Sequence, residues 1–530
     1  MENGTKEIKV ILTENEENTP LNIKFNVEYL SEKNKNIQKS IIYFDNNSNN
    51  LVVSNLQNNL IIISINPLEI ISFLDESSME SSETFSLKTK FKLSEEIIQN
   101  KTIIKLITFP LKKTKKLNYF FCCDCKYKKT INSRLIIKYY FLINKKEKET
   151  LLNTLNIISL PKVNDLQCKN RKRKLLVFIN PIGGKGNAEK IWEKAYNILS
   201  LVSSISLEII YTKYFKHAYE FTLKMPPNEY DGIITCSGDG ILHEVINAIY
   251  HRKDTQILLN KLTFSSLPAG SGNAFSKSIS YYCGEKDNLI ENHCYYIIKG
   301  ITKKIDLLEY ELRDLDKKVY SFLTLTWSFI ADVDLESEFL RCLGMFRVTL
   351  MGVIRWISLR KYYGTLYYLN DNNDNNLDNF PSIKENIDIN KYNNIIKESD
   401  QYNLFVVNNL KWVSENQMPN AKAELDDGYT DILSLKNSDS GKYKLLKELL
   451  IYFDDGTLLF DENNKLIDGI HYIKTKFWRL IPKTNINDPD DVTIKYNFNT
   501  LFSIDGERYP ICPIQCKVLN KIISAYSGKE

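Results

Sequence analysis

The chain has 530 residues, 43% of them hydrophobic, which is enough for real cores and excludes wholesale disorder. Its 70 basic and 65 acidic residues leave a net charge of +5, too nearly balanced for a general nucleic-acid binder. Ten cysteines are too sparse for a disulfide scaffold, the start MENGTKEIKV is not a signal peptide, and the apolar run LIIISINPLEIISFL is broken by Asn66, Pro67 and Glu69. The expectation is a soluble, cytoplasmic protein of a reducing compartment that can visit a membrane surface.

In chain order, residues 1–40 are polar, rich in Glu, Asn and Lys, and are expected to be disordered. Residues 41–165 hold short β-type runs (SIIYF, NLIIIS, TIIKLITFPL, YFFCCDC, LIIKYYFLIN) closed by one helical stretch, KEKETLLNTLNIISL. That outline predicts a β-rich, pleckstrin-homology-like domain. Cys122, Cys123 and Cys125 cluster there, but no second Cys/His pair at zinc spacing accompanies them, so no metal site is read. The basic run RKRK at 171–174 reads as a solvated linker or a contact for acidic lipid heads.

From residue 172 to 300 the pattern changes to four strand–helix repeats. LLVFIN lacks alternation, as expected of a strand buried on both faces. SLEIIYT, DGIITC and LTFSSLPA are the next three strands, each followed by a helical segment. This predicts a doubly wound parallel α/β domain, in which ligands bind at the carboxyl ends of the strands. The remainder, 301–530, reads as a β-rich domain: YSFLTLTWSFI, GTLYYL, YNLFVVN, DILSL, TKFWRLIP, VTIKYNF and LFSID are expected strands, interrupted by one helix at 335–360. An Asn/Asp-rich insertion near 370–400 is expected to be a disordered loop.

Glycine is scarce, with 20 in the chain, yet eight lie between Gly183 and Gly272. Three glycine loops fall at the predicted carboxyl edge of the sheet: PIGGKG after the first strand, SGDG after the third and PAGSGN after the fourth. PIGGKG has neither P-loop nor G-x-G-x-x-G spacing, but amides between a strand and a helix can face an anion, and Lys185 can pair with a phosphate or stay solvated. Asp239, between two glycines, can orient a hydroxyl and accept its proton or hold a metal. Glu244 can support a nucleotide or metal or face solvent. His243 reads as structural. Ser271 and the amides of Gly270 and Gly272 can bind phosphate oxygens.

NPIGGKG, SGDGILHEV and LPAGSGNA, in this order, resemble the catalytic core of the diacylglycerol-kinase-type lipid kinases. With WSFIADVDLESEFLRCLGMFR at 327–347 and DGE at 505–507, the sequence is most similar to the sphingosine kinases; the resemblance covers about 172–530 and not 1–165. It implies an ATP- and Mg²⁺-dependent kinase for sphingosine and related sphingoid bases. The α/β domain would bind ATP, and a C-terminal β-sandwich would bind lipid. By resemblance, Asp239 is the general base, and Ser237, Gly238 and Asp334 meet the substrate, Asp334 at its polar head. Asn180, Pro181, Ile182, Gly183, Gly184, Lys185, Thr212, Lys213, Tyr214, Phe215, Lys216, Glu244, Gly270, Ser271, Gly272, Arg341, Arg347, Asp505, Gly506 and Glu507 contact ATP. At the second strand only Thr212 and the later His217–Ala218 match the family pattern. Metal ligands are not assigned. Peripheral membrane association is implied, and no nucleic-acid partner. Arg341 and Arg347, six apart on a predicted helix, are about 1.7 turns apart. The helix VTLMGVIRWI at 348–357 either packs as core or lines the lipid entrance. A ceramide or diacylglycerol kinase and a silent lipid-binding adaptor are the alternatives; Asp334 speaks against the first, intact Asp239 against the second.

Overall fold

The computed structural model describes residues 24–31, 36–45, 50–55, 61–65, 70–75, 101–108, 111–120, 126–134, 137–144 and parts of 146–155, and then 172–529 apart from 184–185, 344–345, 371–379, 393, 438–469 and 496. Residue contacts divide the chain into two units. One holds the residues up to Lys172 with Asn197–Ile205 and Cys294–Ile301; the other holds Arg173–Tyr196, Ser206–His293 and Thr302–Glu530.

The N-terminal unit contains β1 (Lys24–Ser31), β2 (Asn36–Asp45), β3 (Asn50–Asn55), β4 (Ile61–Ile65), β5 (Ile70–Asp75), β6 (Lys101–Thr108), β7 (Leu111–Phe120), β8 (Lys126–Arg134) and β9 (Ile137–Asn144). Seven of them form an antiparallel sheet in the order β4-β3-β2-β1-β9-β6-β5, and β7 pairs with β8 in a separate ribbon. Val27, Ile42, Val53, Ile104 and Leu106 build its core with the helical Leu151 and Leu155. The expectation of disorder over 1–40 is corrected: β1 and the start of β2 lie there, because Val27 supplies a core position and its strand pairs along its whole length with β2. Cys122, Cys123 and Cys125 lie outside the described residues.

Residues 173–299 form β10 (Arg173–Ile179), α1 (Ala188–Leu199), β11 (Ile205–Tyr211), α2 (His217–Lys224), β12 (Gly232–Ser237), α3 (Asp239–Tyr250), α4 (Thr255–Lys261), β13 (Thr263–Pro268), α5 (Ala274–Tyr282) and α6 (Ile290–Lys299), all in the second unit but for the end of α1, the first residue of β11 and most of α6. The strand order is β11-β10-β12-β13, with β10, β12 and β13 parallel. Leu175 to Ile179 are fully buried, as the unalternating run implies. The order reverses between β10 and β12, and the loops carrying PIGGKG and SGDG leave the sheet at that point. Lys174 of the basic run pairs with Glu208 at 2.8 Å and Glu229 at 2.7 Å, so it belongs to the domain's framework.

The rest comprises β14 (Thr302–Leu312), β15 (Val319–Ser321), β16 (Thr324–Ser328), α7 (Phe329–Glu336), a 3-10 stretch Ser337–Leu343, α8 (Phe346–Ile357), β17 (Tyr363–Leu369), β18 (Ile395–Asn408), β19 (Thr430–Lys436), β20 (Ile470–Thr475), β21 (Phe477–Lys483), β22 (Leu501–Ile504), β23 (Glu507–Pro510) and β24 (Ile514–Tyr526). The first half of β18 pairs with β17 and the second half with β16 and β19. Trp327, Tyr402, Phe405, Trp478 and Phe502 fill one core shared by these strands. The boundary expected at 300 is corrected. The end of β24 lies parallel to β13 (Thr263↔Ser524, Phe264↔Ala525), and its length pairs with β14 and β21, so one sheet runs through both halves.

Three further expectations change. The helix expected at 335–360 starts at Phe329, inside the expected strand, because Ser328 turns the backbone at φ 67°; it breaks at Leu340 before α8 begins. The insertion near 370–400 is structured from Phe380 on: Phe380 stacks on Phe477 at 3.9 Å, and β18 begins at Ile395. VTIKYNF is not a strand, because Arg313 takes the carbonyls of Val492 and, at 2.6 Å, Ile494 away from any ladder.

Gly232, at the head of β12, is held to glycine by this joint. A β-carbon there would lie 2.6 Å from the Thr263 carbonyl and 2.7 Å from the Tyr526 hydroxyl of β24. Gly232→Ala is expected to lower stability by about 1–3 kcal/mol, the usual scale of overpacking, in a urea melt. Gly352→Ala on α8, where a β-carbon meets nothing within 4 Å, should be neutral or stabilising by up to ~1 kcal/mol.

Candidate active site

Two of the glycine loops touch. A β-carbon on Gly270 would fall 2.2 Å from Gly238 Cα, so only glycine allows the SGDG and PAGSGN loops to pack backbone to backbone. Asp239 begins α3, and its side chain crosses to α5. Oδ2 accepts from Ala274 N at 2.9 Å and Oδ1 from Phe275 N at 3.0 Å, so this carboxylate caps the helix of the neighbouring loop. Burial raises its pKa to about 6, against the pull of those two amides. Asn273, at φ 58°, holds the PAGSGN turn: its Oδ1 accepts from Gly270 N at 2.8 Å and its Nδ2 donates to Gly270 O at 3.0 Å. Ser237 is buried and its hydroxyl donates to Gly238 O at 2.6 Å.

In the first loop Asn180 Oδ1 accepts from Ile182 N at 3.2 Å and Gly183 N at 3.1 Å, folding Pro181 and Ile182 into a tight turn that leaves Ile182 83% exposed. Gly184 and Lys185 lie outside the described residues. After β11, Thr212 is buried and donates its hydroxyl to Ile179 O at 3.3 Å. Lys213, Tyr214, Phe215 and Lys216 form an outward turn in which Tyr214 donates to Glu220 at 2.9 Å and Phe215 stands exposed.

Two carboxylates have structural duties that the sequence did not reveal. Glu244 accepts from Lys216 N at 3.2 Å and Tyr219 N at 3.3 Å, capping α2, whose own cap position is in the left-handed region. This side chain thus supports the turn after β11. Asp505, at φ 52°, is buried. It accepts from Ser321 Oγ at 2.6 Å, Leu323 N at 3.1 Å, Thr324 N at 3.0 Å and Phe322 N at 3.2 Å, and it pairs with His243 Nδ1 at 2.9 Å. The expected contact of its carboxylate with the nucleotide is corrected, since protein donors occupy both oxygens. His243 is structural, as expected, and its Nε2 meets Tyr509 Oη at 3.1 Å.

Glu507 is different. Its Oε1 lies 3.3 Å from where a β-carbon on Gly240 would sit, over the first turn of α3, and among the described residues its carboxylate takes no hydrogen bond. Burial raises its pKa, with further repulsion from Glu338 and Asp505. Among the described residues no group of three or more His, Cys, Asp or Glu could hold a metal by itself. Mg²⁺ is usually held by one or two carboxylates together with substrate phosphates, and Glu507 fits that role.

Asp334, on α7, accepts from Ser503 Oγ at 3.1 Å; burial raises its pKa, opposed by Ser503 and by the charge of Arg347. Arg347 Nη1 is buried with no hydrogen-bond partner among the described residues. Neighbouring Asp332 accepts on Oδ2 from Arg360 at 2.6 Å and Tyr362 Oη at 2.7 Å. Arg341 falls in the 3-10 stretch and Arg347 in the first turn of α8, so a break separates them instead of 1.7 turns of one helix. A cavity of about 520 Å³ beside Asp334's helix is lined by Leu335, Phe339, Met351, Ile354 and Arg508, among others. Ile354 and Ile357 of α8 are exposed. Ser503, Asp505 and Glu507 thus reach, from one hairpin, Asp334, His243 and the start of α3.

The parallel sheet carries three glycine loops at its carboxyl edge, two of them touching beside the acid that caps α5, and residues 174–310 match the family described as "Diacylglycerol kinase catalytic domain". The chain is 32% identical over 347 residues to "Sphingosine kinase 1" of Arabidopsis thaliana (60% of this chain, 66% of that protein). It is 32% identical over 341 residues to "Sphingosine kinase 2" of the same plant (61% and 68%). Against "Sphingosine kinase 1" of Homo sapiens it is 36% identical over 203 residues (38% and 52%). It spans about two thirds of the length of the plant relatives and about half of the human one. The chain belongs to the sphingosine kinase family of lipid kinases.

Asp505→Ala strips a partner from three amides, two of them buried, a hydroxyl and His243. It is expected to lose ~2 kcal/mol or more in a denaturant titration. Glu507→Gln, which leaves no amide unsatisfied, should melt within ~0.5 kcal/mol of the parent.

Proposed function

We propose that this chain transfers the terminal phosphoryl group of ATP, with Mg²⁺, to the primary hydroxyl of sphingosine and related sphingoid bases, with Asp239 as the general base. The observation that carries the reading is the setting of Asp239: each oxygen already accepts one amide, burial lifts its pKa to about 6, and glycines wall it. A carboxylate has about four acceptor sites, so lone pairs remain for a hydroxyl. The substrate hydroxyl gives its proton to Asp239 as its oxygen bonds to phosphorus and the bond to the leaving ADP oxygen breaks. The amides of Gly270 and Gly272, Ser271, and the turns Asn180–Gly183 and Thr212–Lys216 would cradle the nucleotide, with Gly184 and Lys185 completing the first loop. Arg341 and Arg347 would reach its phosphates, and Glu507, presented by Gly506 at φ 85°, would share the Mg²⁺. Asp505 and Glu244 act by holding these parts in place.

Asp334 would receive the ammonium of the sphingoid base. A largely buried carboxylate left unpaired by a neutral lipid disfavours ceramide or diacylglycerol. The β-rich halves around the Trp327 core would serve as the lipid-binding sandwich, with the cavity under α8 as its entrance. The exposed apolar residues of α8 suit reversible association of a cytoplasmic enzyme with a membrane; among the described residues no helix is long and apolar enough to cross one. The N-terminal antiparallel sheet with Leu151 and Leu155 packed on it is compatible with a pleckstrin-homology-like domain.

Asp239→Asn should cut sphingosine phosphorylation by about 10²–10⁴-fold in a folded protein; near-normal turnover would defeat the mechanism. Because the base works only when deprotonated, kcat/KM for the parent should rise with pH through about 6 and level off above it, falling about tenfold per unit below. On a lipid panel, Asp334→Asn should lose more activity toward sphingosine than toward diacylglycerol, and equal losses would remove the head-group role.

A further inference from the structure

The connection between β18 and β19, residues 409–429, comes from the β-rich half but sits on the phosphate-loop helix α5. Trp412 is seated there by Lys277, whose Nζ lies 4.5 Å from its ring centroid, and by Tyr281, edge-on at 5.7 Å. A turn closed by Val413 N to Gln417 O at 3.0 Å, and by Ser414 Oγ to Gln417 Oε1 at 3.2 Å, then presents Glu415. Its Oε1 accepts from Asn273 Nδ2 at 3.0 Å and from Asn288 Nδ2 at 3.4 Å. Asn288 in turn donates to Ser276 Oγ at 2.9 Å, on the first turn of α5. Val413 O comes within 3.9 Å of a β-carbon placed on Gly272.

We infer that Glu415 is a positioning residue for phosphoryl transfer, a clamp that locks Asn273 and through it both the PAGSGN turn and the amides that hold Asp239. The chain of contacts is unbroken. Glu415 fixes the amide of Asn273; the same amide grips Gly270 on both its N–H and its C=O; and the next two residues, Ala274 and Phe275, supply the hydrogen bonds to Asp239. Asn273 sits in the left-handed region, which asparagine tolerates when its side chain is bonded locally, so removing an anchor releases a strained residue. The bond from Glu415 is the one that ties this turn to a segment some 140 residues away.

The inference rests on the kinase reading for its kinetic arm only. Two variants of the full chain, Glu415→Ala and Glu415→Gln, separate the possibilities; the glutamine keeps an acceptor oxygen for Asn273. Hydrogen exchange of the peptide 268–282 tests the clamp without any assumption of activity: Glu415→Ala is expected to exchange at Ala274 and Phe275 roughly tenfold faster, and Glu415→Gln near the parent rate. In steady-state assays Glu415→Ala should raise the KM for ATP and lower kcat by roughly tenfold combined, leave the KM for sphingosine unchanged, and be rescued within about threefold by glutamine. Unchanged exchange in the alanine variant overturns the clamp. So does a kinetic loss that merely follows the folded fraction, with both KM values intact. An active-site failure of the parent itself, with exchange altered as expected, would instead overturn the kinase reading and leave the clamp standing.

Discussion

The carboxylate of Asp505 is the contact on which the rest depends. It joins strands from the β-rich half to a histidine on the helix that begins at Asp239, and it does so while buried. An ion in that position is tolerable only if every lone pair is engaged. Four donors and an imidazole meet that demand, and together they fix the β15–β16 turn, α3 and the β22–β23 hairpin relative to each other. The two sides of the site are therefore not hinged loosely at this point. They share one polar joint whose loss would be felt on both.

Around that joint the acids divide their work by what surrounds them. Asp505 is buried and Asp239 partly so, and both accept backbone amides, yet only Asp239 stands among glycines with acceptor capacity to spare. Glu244 spends its oxygens on helix α2. Burial raises the pKa of both Glu244 and Glu507; the charge of Glu507 lifts Glu244 further, and the charges of Glu338 and Asp505 lift Glu507, a local excess of negative charge that a cation would relieve. On α7 the same contrast recurs between Asp332, paired with Arg360 and bonded by Tyr362, and Asp334, which has a hydroxyl and a more distant arginine. Proximity in sequence says little about which acid is free to act; the partners decide it.

This explains what could and could not be read from the residues alone. The three buried strands β10, β12 and β13 and their glycine loops were legible because unalternating apolar runs and clustered glycine are local signals. β14 and β24 were missed because lysine and glutamate interrupt their pattern, although both are largely buried by pairing with each other. VTIKYNF has strand composition, but Arg313 captured its carbonyls from elsewhere in the chain. The capping duties of Glu244 and Asp505 depend on partners 25 to 262 residues away, which no spacing rule reports. Asn273 was visible as the end of PAGSGN; that its side chain, not the glycines, holds the turn was not.

The parallel pairing of β24 with β13 carries a consequence for biogenesis. The α/β half is encoded first, but the strand that lies beside β13 is translated only after the rest of the β-rich half has emerged. Until then β13 presents an open edge, the kind of surface that recruits wrong partners. Closing it requires a contact of very long sequence separation, which is slow to form. Completion of the sheet that carries the glycine loops thus waits on β24, and a polypeptide stalled before that strand would leave the edge of β13 unsealed.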